Sequence, residues 1–191
     1  MTKLGPHLQP PVSSQGAEWA RNAPIVKEIN GRAGLVIARQ DAFRIFRWWW
    51  PVADQTLQRN PAEAAAKVIH ELGGYNHPRL YIEAYNECHQ DLGQGLEAYI
   101  EWTKAFCDYA HLHGYKVAAF GFSTGNPTDG PAAWRYLRSK RYGGADALSV
   151  HQYFSKNGFT IWNGLRHRLI HEWTNGDHPP IFITECGIDD V

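Results

Sequence analysis

Short apolar runs alternate with amphipathic segments along the chain. The runs at 3–9, 24–29, 34–40, 79–87, 115–123, 145–153 and 180–187 read as strands. Segments near 14–22, 60–72, 95–114, 131–141 and 161–174 read as helices. In the second of these, Asn60 suits the N-cap and Pro61 the first helical position. In the third, Tyr99, Trp102, Phe106 and Tyr109 recur at helical spacing and Gly114 suits the C-cap. The stretch after residue 40, carrying "FRIFRWWWP", reads as a long connection.

Strands alternating with helices predict parallel strands buried under helices. Seven such strands fit a (β/α)8-type barrel better than an open sheet, and no GxGxxG follows the first strand. Such barrels typically use about 250 residues, and this sequence has 191. The expectation is one domain over 1–191: an incomplete barrel of about seven β/α units, ending just past strand seven. Two sheet edges would then need cover, from a homodimer or a repacked first strand.

Composition narrows the classes. Lys+Arg and Asp+Glu are both 19, so no bulk field draws the chain to nucleic acid or an anionic membrane. No apolar run approaches the roughly 20 residues that span a bilayer. The N-terminus shows no apolar signal-peptide region, so a soluble protein is expected, cytoplasmic or released by another route. Cys88, Cys107 and Cys186 have no metal-site spacing and read as reduced thiols.

Candidate chemistry lies at the C-terminal strand ends, where barrel enzymes place it. These ends offer Arg39 on strand three, Asn86 and Glu87 on strand four, Ser123 and Asn126 on strand five, His151 and Tyr153 on strand six, and Glu185 on strand seven. Two carboxyl groups facing across a barrel mouth suit glycosidic cleavage, one protonated to serve as acid and one ionised to attack the anomeric carbon or to activate water. Arg39 or Tyr153 beside Glu185 would keep it anionic. A carboxylate following "IFIT" is costly to bury without partners, which favours a functional role. His151 and Tyr153, two apart, share one face of their strand.

The motifs "YIEAYNE", "LSVHQY" and "IFITECG" resemble the strand-four, strand-six and strand-seven signatures of clan A glycoside hydrolases. "PIVKEI", "LVIARQ" and "FGFSTGNP" also resemble strands of uncharacterised bacterial and phage-related members. The resemblance implies a TIM-barrel retaining glycosidase acting on a carbohydrate. It implies Glu87 as acid/base, Glu185 as nucleophile, Asn86 on the substrate 2-hydroxyl, Tyr153 bonded to the nucleophile and His151 lining the sugar subsite. It implies no cofactor. Relatives often carry Pro after the acid/base Glu, where this chain has Cys88, and an aromatic platform on strand eight.

Competing readings stand beside these. A non-catalytic carbohydrate-binding or assembly protein, or an inactive fragment, would keep the same scaffold. In "RWWWP" one tryptophan, with Trp48 the candidate, would meet substrate; otherwise the cluster closes the long loop or covers the gap left by strand eight. "HLHG" and "ECHQD" offer no three-ligand set with metal geometry, so no metal site is expected.

Overall fold

Seven strands pair in chain order, every neighbour parallel. The computed structural model describes residues 7–8, 13–31, 33–47, 60–87, 94–155 and 160–189. The elements are β1 (His7–Leu8), α1 (Ser14–Asn22), β2 (Ile25–Ile29), α2 (Ala33–Ile37), β3 (Phe43–Arg47), α3 (Pro61–Glu71) and β4 (Leu80–Glu83). They continue with α4 (Gln94–Leu112), β5 (Lys116–Phe122), α5 (Gly130–Ser139), β6 (Ala147–Ser155), α6 (Ile161–Gly164), α7 (Arg166–Trp173) and β7 (Ile181–Asp189).

The sheet curls into an incomplete (β/α) barrel. Each of β2 to β7 sends one side chain into a shared inner layer: Ile25, Ile45, Tyr81, Ala118, Ala147 and Phe182. The Phe182 ring lies 5.4 Å from Phe43 and 5.0 Å from Tyr81, centroid to centroid, so β7 meets β3 and β4 across the interior. Among the described residues β1 pairs only with β2, and β7 only with β6. The outward strand residues, such as Val26, Phe46, Ile82 and Leu148, form a larger core with the helices. No helix among the described residues is long and apolar enough to cross a membrane.

Helix ends follow the sequence signals. Asn60 caps α3, its side chain accepting from the backbone N–H of Ala62 and Glu63. Gly114 takes φ +79 after α4, a left-handed conformation that glycine adopts at no steric cost. The segment expected as one helix over 161–174 divides into α6 and α7 at Leu165.

One predicted strand is a helix. Residues 34–40 were expected to be extended; instead α2 occupies Ala33–Ile37, and strand three is Phe43–Arg47, inside the predicted connection. Two buried side chains explain the difference. At the start of α2, Glu28 accepts from the Leu35 N–H through Oε2, at 3.0 Å. Past its end, the Arg44 guanidinium donates to the carbonyls of Leu35, Ala38, Arg39 and Ala42 at 2.7–3.1 Å. A helix this short has little intrinsic stability, so its end groups must be met from outside. Within β3, Phe43, Ile45 and Arg47 alternate inward while Arg44 and Phe46 face the helices.

Arg44→Met keeps the stem and removes the donors, leaving four backbone carbonyls to lose their shared partner. Urea denaturation is expected to show a loss of about 3 kcal/mol. A change below about 0.5 kcal/mol, the usual surface range, would remove Arg44 as the clamp of α2.

Candidate functional site

The C-terminal ends of β2, β3, β4, β6 and β7 converge on one charged cluster. Lys27 Nζ lies 2.7 Å from Glu83 Oε2 and 3.3 Å from Glu185 Oε1. Arg47 Nη1 lies 2.7 Å from Glu185 Oε1 and 3.7 Å from Glu83 Oε2, and it also donates to Asn86 Oδ1. Tyr153 Oη donates to Glu185 Oε2 at 3.2 Å. His151 Nδ1 sits 2.8 Å from Glu87 Oε1 and 3.7 Å from Glu185 Oε2. The structure therefore brings together Asn86, Glu87, His151, Tyr153 and Glu185.

Two local irregularities aim these groups. On β7 the register slips by one residue: Val150 pairs with Ile183, but His151 pairs with Glu185. Without that bulge, Phe182 and Glu185 would fall on opposite faces; with it, both point inward. On β5 the register slips between Ala119 and Phe122, and Phe120 takes φ +64. Phe120 and Phe122 both turn outward onto Tyr99 of α4, at 5.0 and 5.8 Å. Gly121 between them faces the interior, where a Cβ would stand 3.3 Å from His151 Nε2. The Gly121 carbonyl accepts the Glu87 N–H at 2.7 Å and so anchors the end of the strand-four segment. Glu87 itself has φ +53, an uncommon conformation for a side-chain-bearing residue and one found at functional positions.

Electrostatics separates the carboxylates. Burial pushes the Glu185 carboxyl up, but Lys27, His151 and Arg47 together outweigh it, holding Glu185 below the usual carboxylate range. Burial acts the same way on Glu83, and Lys27 and Arg47 again prevail, holding it ionised. Lys27 is shifted down, chiefly by burial, which Glu83 and Glu185 only partly offset. Glu87 is the most open member, its side chain 33% exposed against 12% for Glu185.

Arg39 is not part of this cluster. It follows α2, exposed, and forms an ion pair with Asp41. Its expected place beside Glu185 is taken by Arg47, because strand three lies later in the chain than the apolar run implied. Trp48 and Cys88 lie outside the described residues. Ser123 and Asn126 bond to each other, Asn126 Nδ2 donating to Ser123 Oγ at 2.9 Å. Sequence reasoning missed Lys27, Arg47 and Glu83. The available signal was a charged residue breaking an apolar strand, as in "PIVKEI", "FRIFR" and "YIEA".

Glu87, His151 and Glu185 also offer donor atoms that all lie within 4.8 Å of one another, a set that could hold a cation. That set is formed by tertiary contact, where no metal site is expected from "ECHQD" or "HLHG". In "HLHG" His111 binds Asp146 at 2.8 Å. A cation entering here would compete with Lys27, Arg47 and Tyr153 for the Glu185 oxygens.

No protein-family profile matches the chain, and no curated protein does. Among solved structures the chain is similar to a GH10 endoxylanase retrieved from a sugarcane soil metagenome. The two share 9% identity with a TM-score of 0.57, over 98% of this chain and 68% of that one. At that identity the likeness establishes the incomplete (β/α) barrel, a scaffold used by glycoside hydrolases, and nothing about turnover.

The lowered Glu185 pKa has a thermodynamic consequence. A carboxyl held below its ordinary 4.5 adds stability that is complete above that pH and is lost as pH falls through the folded-state value. Denaturation midpoints are expected to fall as pH drops from 4.5, and to fall less in Glu185→Gln, which has no such proton to take up. Identical acid profiles for the two proteins would contradict the assignment.

Proposed function

We propose that the chain is a retaining glycoside hydrolase, with Glu185 as nucleophile and Glu87 as acid/base. The observation that carries this reading is the approach of a Glu87 oxygen to a Glu185 oxygen, within 4.8 Å at the C-terminal end of the barrel. Double displacement needs carboxyl groups about 5–5.5 Å apart, whereas inversion needs about 6.5–9.5 Å to admit a water.

The division of labour follows from the surroundings. Glu185 has two cations and a tyrosine hydroxyl on its oxygens, so it is ionised and held still for attack on the anomeric carbon. Glu87 is more open, and its carboxylate pairs with the His151 ring, which suits a group that must exchange protons with a leaving group and then with water. As the Glu185 oxygen bonds to the anomeric carbon, the glycosidic bond breaks and the Glu87 proton passes to the departing oxygen. Water then gives a proton back to Glu87 and displaces Glu185. Asn86, held by Arg47, stands beside the nucleophile, where a sugar 2-hydroxyl would lie.

The test is covalent trapping. Incubation with a panel of activated 2-deoxy-2-fluoroglycosides, xylosides included because the structural neighbour is an endoxylanase, is expected to leave a glycosyl adduct on Glu185 by mass spectrometry. Sugar binding with no adduct and no turnover across the panel would favour the non-catalytic carbohydrate-binding reading. Glu87→Ala is expected to lower kcat/KM by about 10²–10⁴-fold, with azide restoring deglycosylation. Arg39→Ala is expected to leave turnover unchanged, while Arg47→Met reduces it.

A further inference from the structure

Three arginines gather at the other end of the barrel. Arg135 and Arg138 lie on α5 and Arg141 in the 3-10 turn Arg141–Gly144 that follows it. With Tyr142, Asp177 and His178 they line a cleft of about 620 Å³. The connections forming it run directly into the N-terminal ends of β6 and β7, so it faces away from Glu87 and Glu185.

The charges in this cleft do not balance. Asp177 is the one carboxylate in its lining, and it is taken by Arg138, Nε to Oδ2 at 2.7 Å. Lys140 is drawn off to Glu97 at 3.0 Å. Arg135 and Arg141 are exposed and have no ion-pair partner among the described residues. A helix C-terminus favours cations, which accounts for Arg138 in the last turn of α5 but not for Arg141 beyond it. Since the formal charge of the whole chain is zero, the excess is local. The cleft walls are set: Tyr142 Oη donates to the Asp177 carbonyl at 2.8 Å, and His178 Nδ1 lies 2.7 Å from the Pro179 carbonyl.

We propose that this cleft binds a small phosphorylated molecule, with Arg135 and Arg141 gripping its phosphate oxygens. Guanidinium groups present paired N–H donors that match phosphate geometry, and such charge-assisted bonds are stronger than neutral ones. The site is independent of the glycosidase reading.

Titration of the whole chain with inorganic pyrophosphate, against sodium chloride at matched ionic strength, tests it by calorimetry and by the guanidinium NMR signals of Arg135 and Arg141. Saturable binding is expected, weakened about tenfold or more, equivalent to at least one such contact, in the Arg135→Gln/Arg141→Gln double variant. Both positions are exposed, so the variant is expected to keep the parent melting temperature. Glu185→Gln is expected to bind pyrophosphate like the parent. A response that chloride reproduces, or binding retained in the double variant, would overturn the proposal.

Discussion

The buried ion cluster of Lys27, Arg47, Glu83 and Glu185 is the constraint around which the barrel interior is arranged. Each residue comes from a different strand, β2, β3, β4 and β7, and Lys27, Arg47 and Glu83 are nearly inaccessible. Charges taken out of water are costly, and removing one partner leaves the others uncompensated. Two cations against two carboxylates, with Asn86 and Tyr153 supplying further hydrogen bonds, offset part of that cost. The cluster forms only if the sheet is curled enough to bring β7 against β2 and β3. The aromatic contacts of Phe182 beneath it require the same curvature.

Local departures from ideal strand geometry convert this scaffold into a site. The β7 bulge places Glu185 on the interior face, and the β5 irregularity turns Gly121 inward to make room for His151. Gly187 does the same for Tyr153, since a Cβ there would come within 3.1 Å of the ring. Regular pleating would leave these groups unable to meet. The functional proposal therefore rests on the side chains and their separation, while the structural likeness to an endoxylanase speaks only for the scaffold.

The charge distribution divides the molecule between its two ends. At the C-terminal ends of the strands, Lys27 and Arg47 pair with the buried carboxylates, which holds the nucleophile candidate ionised. At the N-terminal ends, Arg135 and Arg141 are exposed in a cleft whose single carboxylate is already engaged. The first arrangement carries the proposed glycosidase chemistry and the second the proposed phosphate site.

Much of the architecture was legible in the sequence. The alternation of apolar runs and amphipathic segments specified parallel strands under helices, Asn60 and Gly114 marked helix ends, and the expected site residues Asn86-Glu87 and Glu185 lie just past β4 and within β7. Tertiary structure decided the rest. A run as short as "GLVIA" suits helix or strand equally, and the choice fell to Glu28 and Arg44, which meet the end groups of α2. That choice moved strand three and replaced Arg39 by Arg47. Which face Glu185 occupies depended on a one-residue register slip against β6, and no local pattern carries register. The pairing of Lys27 with Glu185 joins positions 158 apart, so only the curvature of the sheet could reveal it.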